Sequence, residues 1–227
     1  MQRRQIEARL RAEVAARPRL RGVFHQYGFF AALIAGFLIT FNAPTRRSLV
    51  AVAIYSVSLC ALLGTSALYH RIAWQPRALR IMRRLDHGMI FILIAGTCTP
   101  FAILVMRGHP MIYMLAAIWG IALAGIIIKQ IWIRAPKWAA AILYVASGVV
   151  GGTLLMPPLL HHLGPAPVLL VALGGALYIA GAVIYGLRRP NPVPGILGFY
   201  ELFHLLVILA AGVHMAVIIA YVVPLEG

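Results

Sequence analysis

Gly88-Met89-Ile90-Phe91-Ile92-Leu93-Ile94-Ala95-Gly96-Thr97-Cys98-Thr99-Pro100-Phe101-Ala102-Ile103-Leu104-Val105-Met106 runs for 19 residues without a charged side chain, entered through Asp86-His87 and left at Arg107. As a helix it rises about 28 Å, close to the roughly 30 Å hydrocarbon core of a bilayer. A run of that length is too long for a buried strand and too uniformly apolar for a surface helix, so 86–106 reads as a membrane span. Similar segments lie on either side of it, at about 25–43, 49–69, 111–129, 138–156, 168–187 and 196–223. The connectors between them are short and carry turn and charge signals, as in Ala43-Pro44-Thr45-Arg46-Arg47 and Arg188-Arg189-Pro190-Asn191-Pro192. None could hold a soluble domain. The expectation is an all-α membrane protein: a polar, arginine-rich segment over residues 1–24, then a seven-helix transmembrane bundle over 25–227.

Composition agrees. The 227 residues are 62% hydrophobic and 11% charged, with 20 Lys and Arg against five acids and a formal net charge of +15. A basic soluble nucleic-acid binder would not commit so much of its length to apolar residues, and two cysteines are too few for a disulfide scaffold. No nucleic-acid partner is expected. Cys60 and Cys98 fall mid-span and read as small apolar fillers.

The position of the positive charge sets the orientation, because Lys and Arg near span ends favour the cytoplasmic side. Seventeen of the 20 fall in residues 1–24 and in the connectors 70–85, 129–137 and 188–195; the alternate connectors hold three. The N-terminus is therefore expected in the cytoplasm and the C-terminus outside, in a multi-pass inner-membrane protein. Trp74, Trp132 and Trp138 fall on the basic side, at headgroup depth. The apolar stretch after residue 24 is too long for the h-region of a cleaved signal peptide. Ile6, Leu10 and Val14 recur every four residues, so the N-terminal segment is either a short amphipathic helix on the anionic inner leaflet or an arginine tail that only sets topology.

This orientation collects the intramembrane polar residues. His25 opens helix one, Ser66 and His70 end helix two, Asp86 and His87 open helix three, and Tyr200, Glu201 and His204 open helix seven. Four helices thus bring them to one depth, at the cytoplasmic rim. Ionisable side chains in a bilayer are costly, and each is a functional candidate. Ser66 and His70 are four apart and share a helix face; Glu201 and His204, three apart, also point the same way. Histidines around an open position, with a carboxylate to take a proton from bound water, have the composition of a catalytic zinc site. The bland readings are an interfacial ion pair for Asp86 and His87, a plain span entrance for His25, packing for His214, and solvation for His109, His161 and His162. His214 lies ten residues past His204, about 15 Å along the helix, and cannot share its metal.

Three motifs carry a resemblance. Ser66-Ala67-Leu68-Tyr69-His70, then Leu85-Asp86-His87 running into Ile90–Phe101, then Gly198-Phe199-Tyr200-Glu201-Leu202-Phe203-His204 resemble the bacterial hemolysin III proteins. These belong with the progestin and adiponectin receptors and the alkaline ceramidases. The resemblance covers the chain from about residue 18. It implies a zinc ion near the cytoplasmic face, held by the histidine of an SxxxH motif on helix two and two histidines of an HxxxH motif on helix seven. Carried over, His70 and His204 match ligand positions, Asp86 matches an aspartate beside the metal-bound water, and Ser66 matches the serine. The first histidine of HxxxH falls on Tyr200 here, and a neutral phenol is a poor zinc ligand. Either Glu201, His25 or His87 supplies a third ligand, or two histidines hold zinc weakly, or the site has lost its metal.

Two functions of different class follow as expectations. One is a protein of membrane-lipid or fluidity homeostasis acting as a zinc-dependent lipid amide hydrolase, with Asp86 as proton acceptor and Ser66 positioning water or substrate. The other is a lipid sensor or structural membrane protein with a degenerate metal site. A cytolysin is what the family name suggests, without support from residue chemistry. A transporter is disfavoured, since no inverted repeat is evident.

Overall fold

The computed structural model describes residues 18–132 and 135–226. Seven helices are long and apolar enough to cross a membrane: α1 Val23–Phe41, α2 Arg46–Arg71, α3 Pro76–Val105, α4 Gly108–Ile131, α5 Lys137–Leu163, α6 Pro165–Leu187 and α7 Phe199–Val217. The last continues through a π-helical turn, Ile218–Val222, and a 3-10 turn, Val223–Glu226. The seven-span all-α architecture expected from the hydropathy pattern is present. The Ile6–Val14 pattern lies outside the described residues.

Local chemistry sets the helix boundaries. Thr45 and Ser48 form a reciprocal capping box at the start of α2, with Thr45 N donating to Ser48 Oγ at 3.0 Å and Ser48 N donating to Thr45 Oγ1 at 3.1 Å. Pro76 and Pro165 occupy the first turns of α3 and α6, where a missing N–H costs nothing. At α7 the carboxylate of Glu201 accepts from the N–H of Gly198 at 2.8 Å.

One expected boundary is corrected. Helix three does not begin near Asp86 but at Pro76, so Asp86 lies in its third turn. Ala78-Leu79-Arg80-Ile81-Met82-Arg83-Arg84-Leu85 is made of good helix formers, and its arginines extend the helix beyond the apolar span. A 30-residue helix is about 45 Å long, well over the hydrocarbon thickness. Helix α5 likewise runs on past the expected end at 156, through Pro157 and Pro158, to Leu163.

Helix α3 is the axis of the bundle. It packs against α2, α4 and α5, while α1 lies on α2 and α7, and α6 on α5 and α7. Small residues allow the close approaches: a Cβ at Gly96 would stand 2.3 Å from Ser58 Oγ of α2, and one at Gly125 would stand 2.3 Å from the Phe91 ring. The core between them is built from Tyr55, Leu59, Leu62, Leu63, Phe101 and Leu104. The Tyr55 hydroxyl donates to the Ala211 carbonyl at 2.8 Å, tying α2 to α7 in mid-bundle.

The two faces of the bundle are held differently. On the face opposite the N-terminal segment, Glu226 receives Arg47 at 3.1 Å and Arg107 at 2.7 Å, and Arg47 also donates to the carbonyls of Ile103 and Met106. Two of the three positive residues on that side thus share one carboxylate. On the N-terminal face, Arg21 meets Glu201 at 2.5 Å.

Candidate functional site

Gly22 makes the first move in assembling the site. Its φ of +76° is in the left-handed region, and a Cβ there would stand 2.7 Å from the Cβ of His70. The chain turns against the end of α2 at this point and enters α1, which puts His25 within one turn of that contact. Arg21, just before the turn, is aimed across α1 at Glu201 of α7.

Three imidazoles meet as a result. The rings of His25 and His204 stack with centroids 4.0 Å apart and planes 28° apart, and the His70 ring is 4.9 Å from that of His204. All three are buried. They come from α1, α2 and α7, three of the helices whose polar residues were expected at one depth. From the fourth, α3, comes Asp86, with the Ser66 side chain in hydrogen-bonding reach of its carboxyl group. Ser66 stands one turn before His70 on the same face of α2.

The other expected residues are placed as follows. Tyr200, at the position of the missing histidine, lies beside the imidazoles, 5.7 Å from His70 and 6.2 Å from His204 between centroids. Its ring is covered by the Arg21 guanidinium at 4.2 Å and the Lys137 ammonium at 4.1 Å. Glu201 is wholly buried, with one oxygen on Arg21 and the other on the N–H of Gly198. His87 keeps company with Lys129, Arg83 and Lys137. His214 lies deeper, bonded at 3.1 Å to the Val171 carbonyl, with its ring filling the space that a side chain at Gly174 would occupy. Cys60 and Cys98 are both free.

A cavity of about 400 Å³ joins these groups. His25, Ser66, His70, Asp86 and His204 line one end, and it continues past Leu93, Phe101, Met156 and Val207 to Val171 and His214. That volume lies in the range of small-molecule sites, and such a wall suits a hydrocarbon chain with a polar group at the imidazole end. The sequence reading had no signal for Tyr144 and Tyr185, which also line the cavity and stand near Asp86. Aromatic residues on apolar spans read as packing until a neighbouring helix is known.

Three imidazoles are the kind of donor a zinc ion would take; Nδ1 of His204 is buried without a hydrogen-bond partner. The placement is not yet that of a bound metal: His25 is stacked on His204 rather than convergent with it, and no three His, Cys, Asp or Glu among the described residues form a metal-holding group.

Comparison with known proteins finds relatives along most of the chain. A family model described as Haemolysin-III related matches residues 14–215. Hemolysin-3 of Bacillus cereus is 30% identical over 205 residues, covering 89% of this chain and 90% of that protein. The Hemolysin-3 homolog of Bacillus subtilis (strain 168) is 32% identical over 151 residues, covering 66% of this chain and 70% of the relative.

Proposed function

The chain belongs to the haemolysin-III related family and is a multi-pass bacterial membrane protein; from that premise we propose that it acts on membrane lipids, as a zinc-dependent amide hydrolase with its site at the cytoplasmic rim. The observation that carries this reading is the meeting of His25, His70 and His204 with the Asp86–Ser66 pair at one end of a long, largely apolar cavity.

In this reading His25, His70 and His204 would hold the metal, and His25 would supply the ligand that Tyr200 does not. Bound zinc would polarise an amide carbonyl and make water a nucleophile near neutral pH. The remaining work belongs to the chain. Asp86 accepts the proton from the attacking water and delivers it to the leaving amine. The Ser66 hydroxyl, donating to that carboxylate, orients it and fixes the water's approach. Leu62, Leu93, Phe101 and Val207 hold the acyl chain and exclude bulk water. Tyr200 covers the mouth, fixed there by the Arg21 and Lys137 cations. The orientation is supported by the sequence, in which 17 of the 20 positive residues fall in 1–24, 70–85, 129–137 and 188–195, and by the pairing of Arg47 and Arg107 with Glu226 at the other end of the bundle.

A second reading, a lipid sensor without turnover, is favoured by the stacked His25–His204 pair and by Tyr200 itself. The word hemolysin in the relatives' names supplies no residue chemistry, and lysis is not carried over. The experiment that separates the readings combines metal analysis of the purified protein with hydrolysis of a long-chain N-acyl amide in detergent. We expect zinc in the unmodified protein, its loss in His70→Ala, and in Asp86→Asn retention of zinc with hydrolysis reduced at least 100-fold. Metal-free wild-type protein would end the hydrolase proposal. Zinc without hydrolysis, and no phenotype for Asp86→Asn, would establish the sensor.

A further inference from the structure

A second polar group sits beside the imidazole cluster, and it consists of cations. His87 follows Asp86 on α3, and one residue turns a helix by about 100°, so the two side chains diverge. His87 is 9% exposed, and its Nδ1 is buried without a hydrogen-bond partner. The charges that act on it are Lys129 near the end of α4, Arg83 one turn earlier on α3, and Lys137 at the start of α5. Lys129 is only 2% exposed. The Lys137 ammonium stands 4.1 Å from the centroid of Tyr200 and 4.4 Å from that of Phe199, with Arg188 and Arg21 also within its field.

No carboxylate answers these charges. Among the described residues the ion pairs are Arg21–Glu201, Arg47–Glu226 and Arg107–Glu226. Arg83, Lys129, Lys137 and Arg188 take part in none. Asp86, the nearest acid in sequence, is engaged by Ser66 and stands near Tyr144, Tyr185 and Tyr200. Helix α5 adds its own positive end: Lys137 is its first residue, and Pro136 offers no side-chain cap to the amides of the first turn. Topology alone accounts for exposed cations on this face, Arg77, Arg80, Arg83 and Arg188 among them. It does not account for a lysine removed from water among other cations, which is costly without an anion.

We propose that Arg83, Lys129, Lys137 and His87 form a binding site for a phosphate group, carried either by an anionic phospholipid headgroup or by a soluble phosphate. Guanidinium and ammonium groups both donate to phosphate oxygens, and the unpartnered His87 Nδ1 supplies a further donor in the appropriate tautomer. His87 also lines the cavity, so a phospholipid held here would present its chains at the cavity mouth. The inference deepens the lipid reading above by giving its ligand a charge, but its test needs neither metal nor turnover, so the two can fail separately.

The test is binding to the purified full chain in an uncharged detergent, read by thermal unfolding and native mass spectrometry. The probes are dioleoyl phosphatidylglycerol, inorganic phosphate, and dioleoylglycerol as the phosphate-free lipid, at matched ionic strength. We expect saturable binding of phosphatidylglycerol at least tenfold tighter than dioleoylglycerol, weakened at least tenfold by Lys137→Gln and further by Lys129→Gln/Lys137→Gln. The single variant keeps the test decisive if the double one does not fold. The control Arg77→Gln/Arg80→Gln removes two charges from the same face and should leave affinity unchanged. Saturation by inorganic phosphate, lost in Lys137→Gln, supports the site with a soluble ligand; saturation by phosphatidylglycerol alone supports the headgroup. Binding of neither above the controls, or equal loss in the Arg77→Gln/Arg80→Gln protein, overturns the proposal.

Discussion

Replacing Arg21 by methionine tests how the N-terminal face is held together. Glu201 is wholly buried, its carboxylate shared between Arg21 Nε at 2.5 Å and the Gly198 N–H at 2.8 Å. Arg21→Met keeps the aliphatic stem and strands the carboxylate. Removing one partner of a buried pair costs about 3–5 kcal/mol. Here the backbone donor remains, and the Arg21 side chain is 16% exposed, so water can enter in its place; both lower the expected loss to about 2–4 kcal/mol. Glu201→Gln is milder, about 1–2 kcal/mol, because an amide oxygen still caps Gly198 and the arginine keeps the face of Tyr200 at 4.2 Å. With both changed no charge is left stranded, so the double mutant should be more stable than the sum of the singles predicts, by about 1–3 kcal/mol. The assay is reversible unfolding in mixed micelles with increasing dodecyl sulfate, followed by circular dichroism. The reasoning fails if Arg21→Met is no worse than Arg19→Met, an exposed neighbour, or if the coupling is below about 0.3 kcal/mol.

Two further substitutions probe the cluster. Gly22→Ala meets both a left-handed φ and a Cβ 2.7 Å from His70, for a combined loss of about 2–4 kcal/mol. Gly108→Ala, also at positive φ but with nothing within 4 Å of its Cβ, should lose only about 1 kcal/mol in the same dodecyl sulfate unfolding assay, and equal losses would remove the close approach from the account. Tyr200→His should leave the zinc stoichiometry of the purified protein unchanged while His25→Ala lowers it; a rise on Tyr200→His would mean that His25 does not complete the set.

The shared level along the bundle axis was legible in the sequence; rotation about each helix was not. A constant rise per residue and an alternating topology suffice to bring His25, His70, Asp86 and His204 to one level. Which of them face one another depends on helix neighbours, and these are set by packing such as Gly96 on Ser58 and by contacts across the whole chain. Glu201 shows the difference. Its i, i+3 relation to His204 suggests a shared metal, but Arg21, 180 residues away in sequence, takes its charge. The start of α3 went unread for another reason: the arginines of 77–84 mark the end of the apolar span, and an amphipathic helical turn continues through them as readily as a loop.

The use made of the acids narrows the chemistry. Of the three in the described residues, Glu226 is bound to Arg47 and Arg107, and Glu201 to Arg21. A carboxylate held by a guanidinium has its oxygens committed to that partner. Among the described residues Asp86 has no such partner within ion-pair distance; the hydroxyl of Ser66 lies within its hydrogen-bonding reach. It also lines the cavity together with the three imidazoles. A site that only clamped helices would gain from an arginine at Asp86, as the clamps at Glu201 and Glu226 do. Asp86 without an arginine, at the polar end of the cavity, is what the proposed proton acceptor requires.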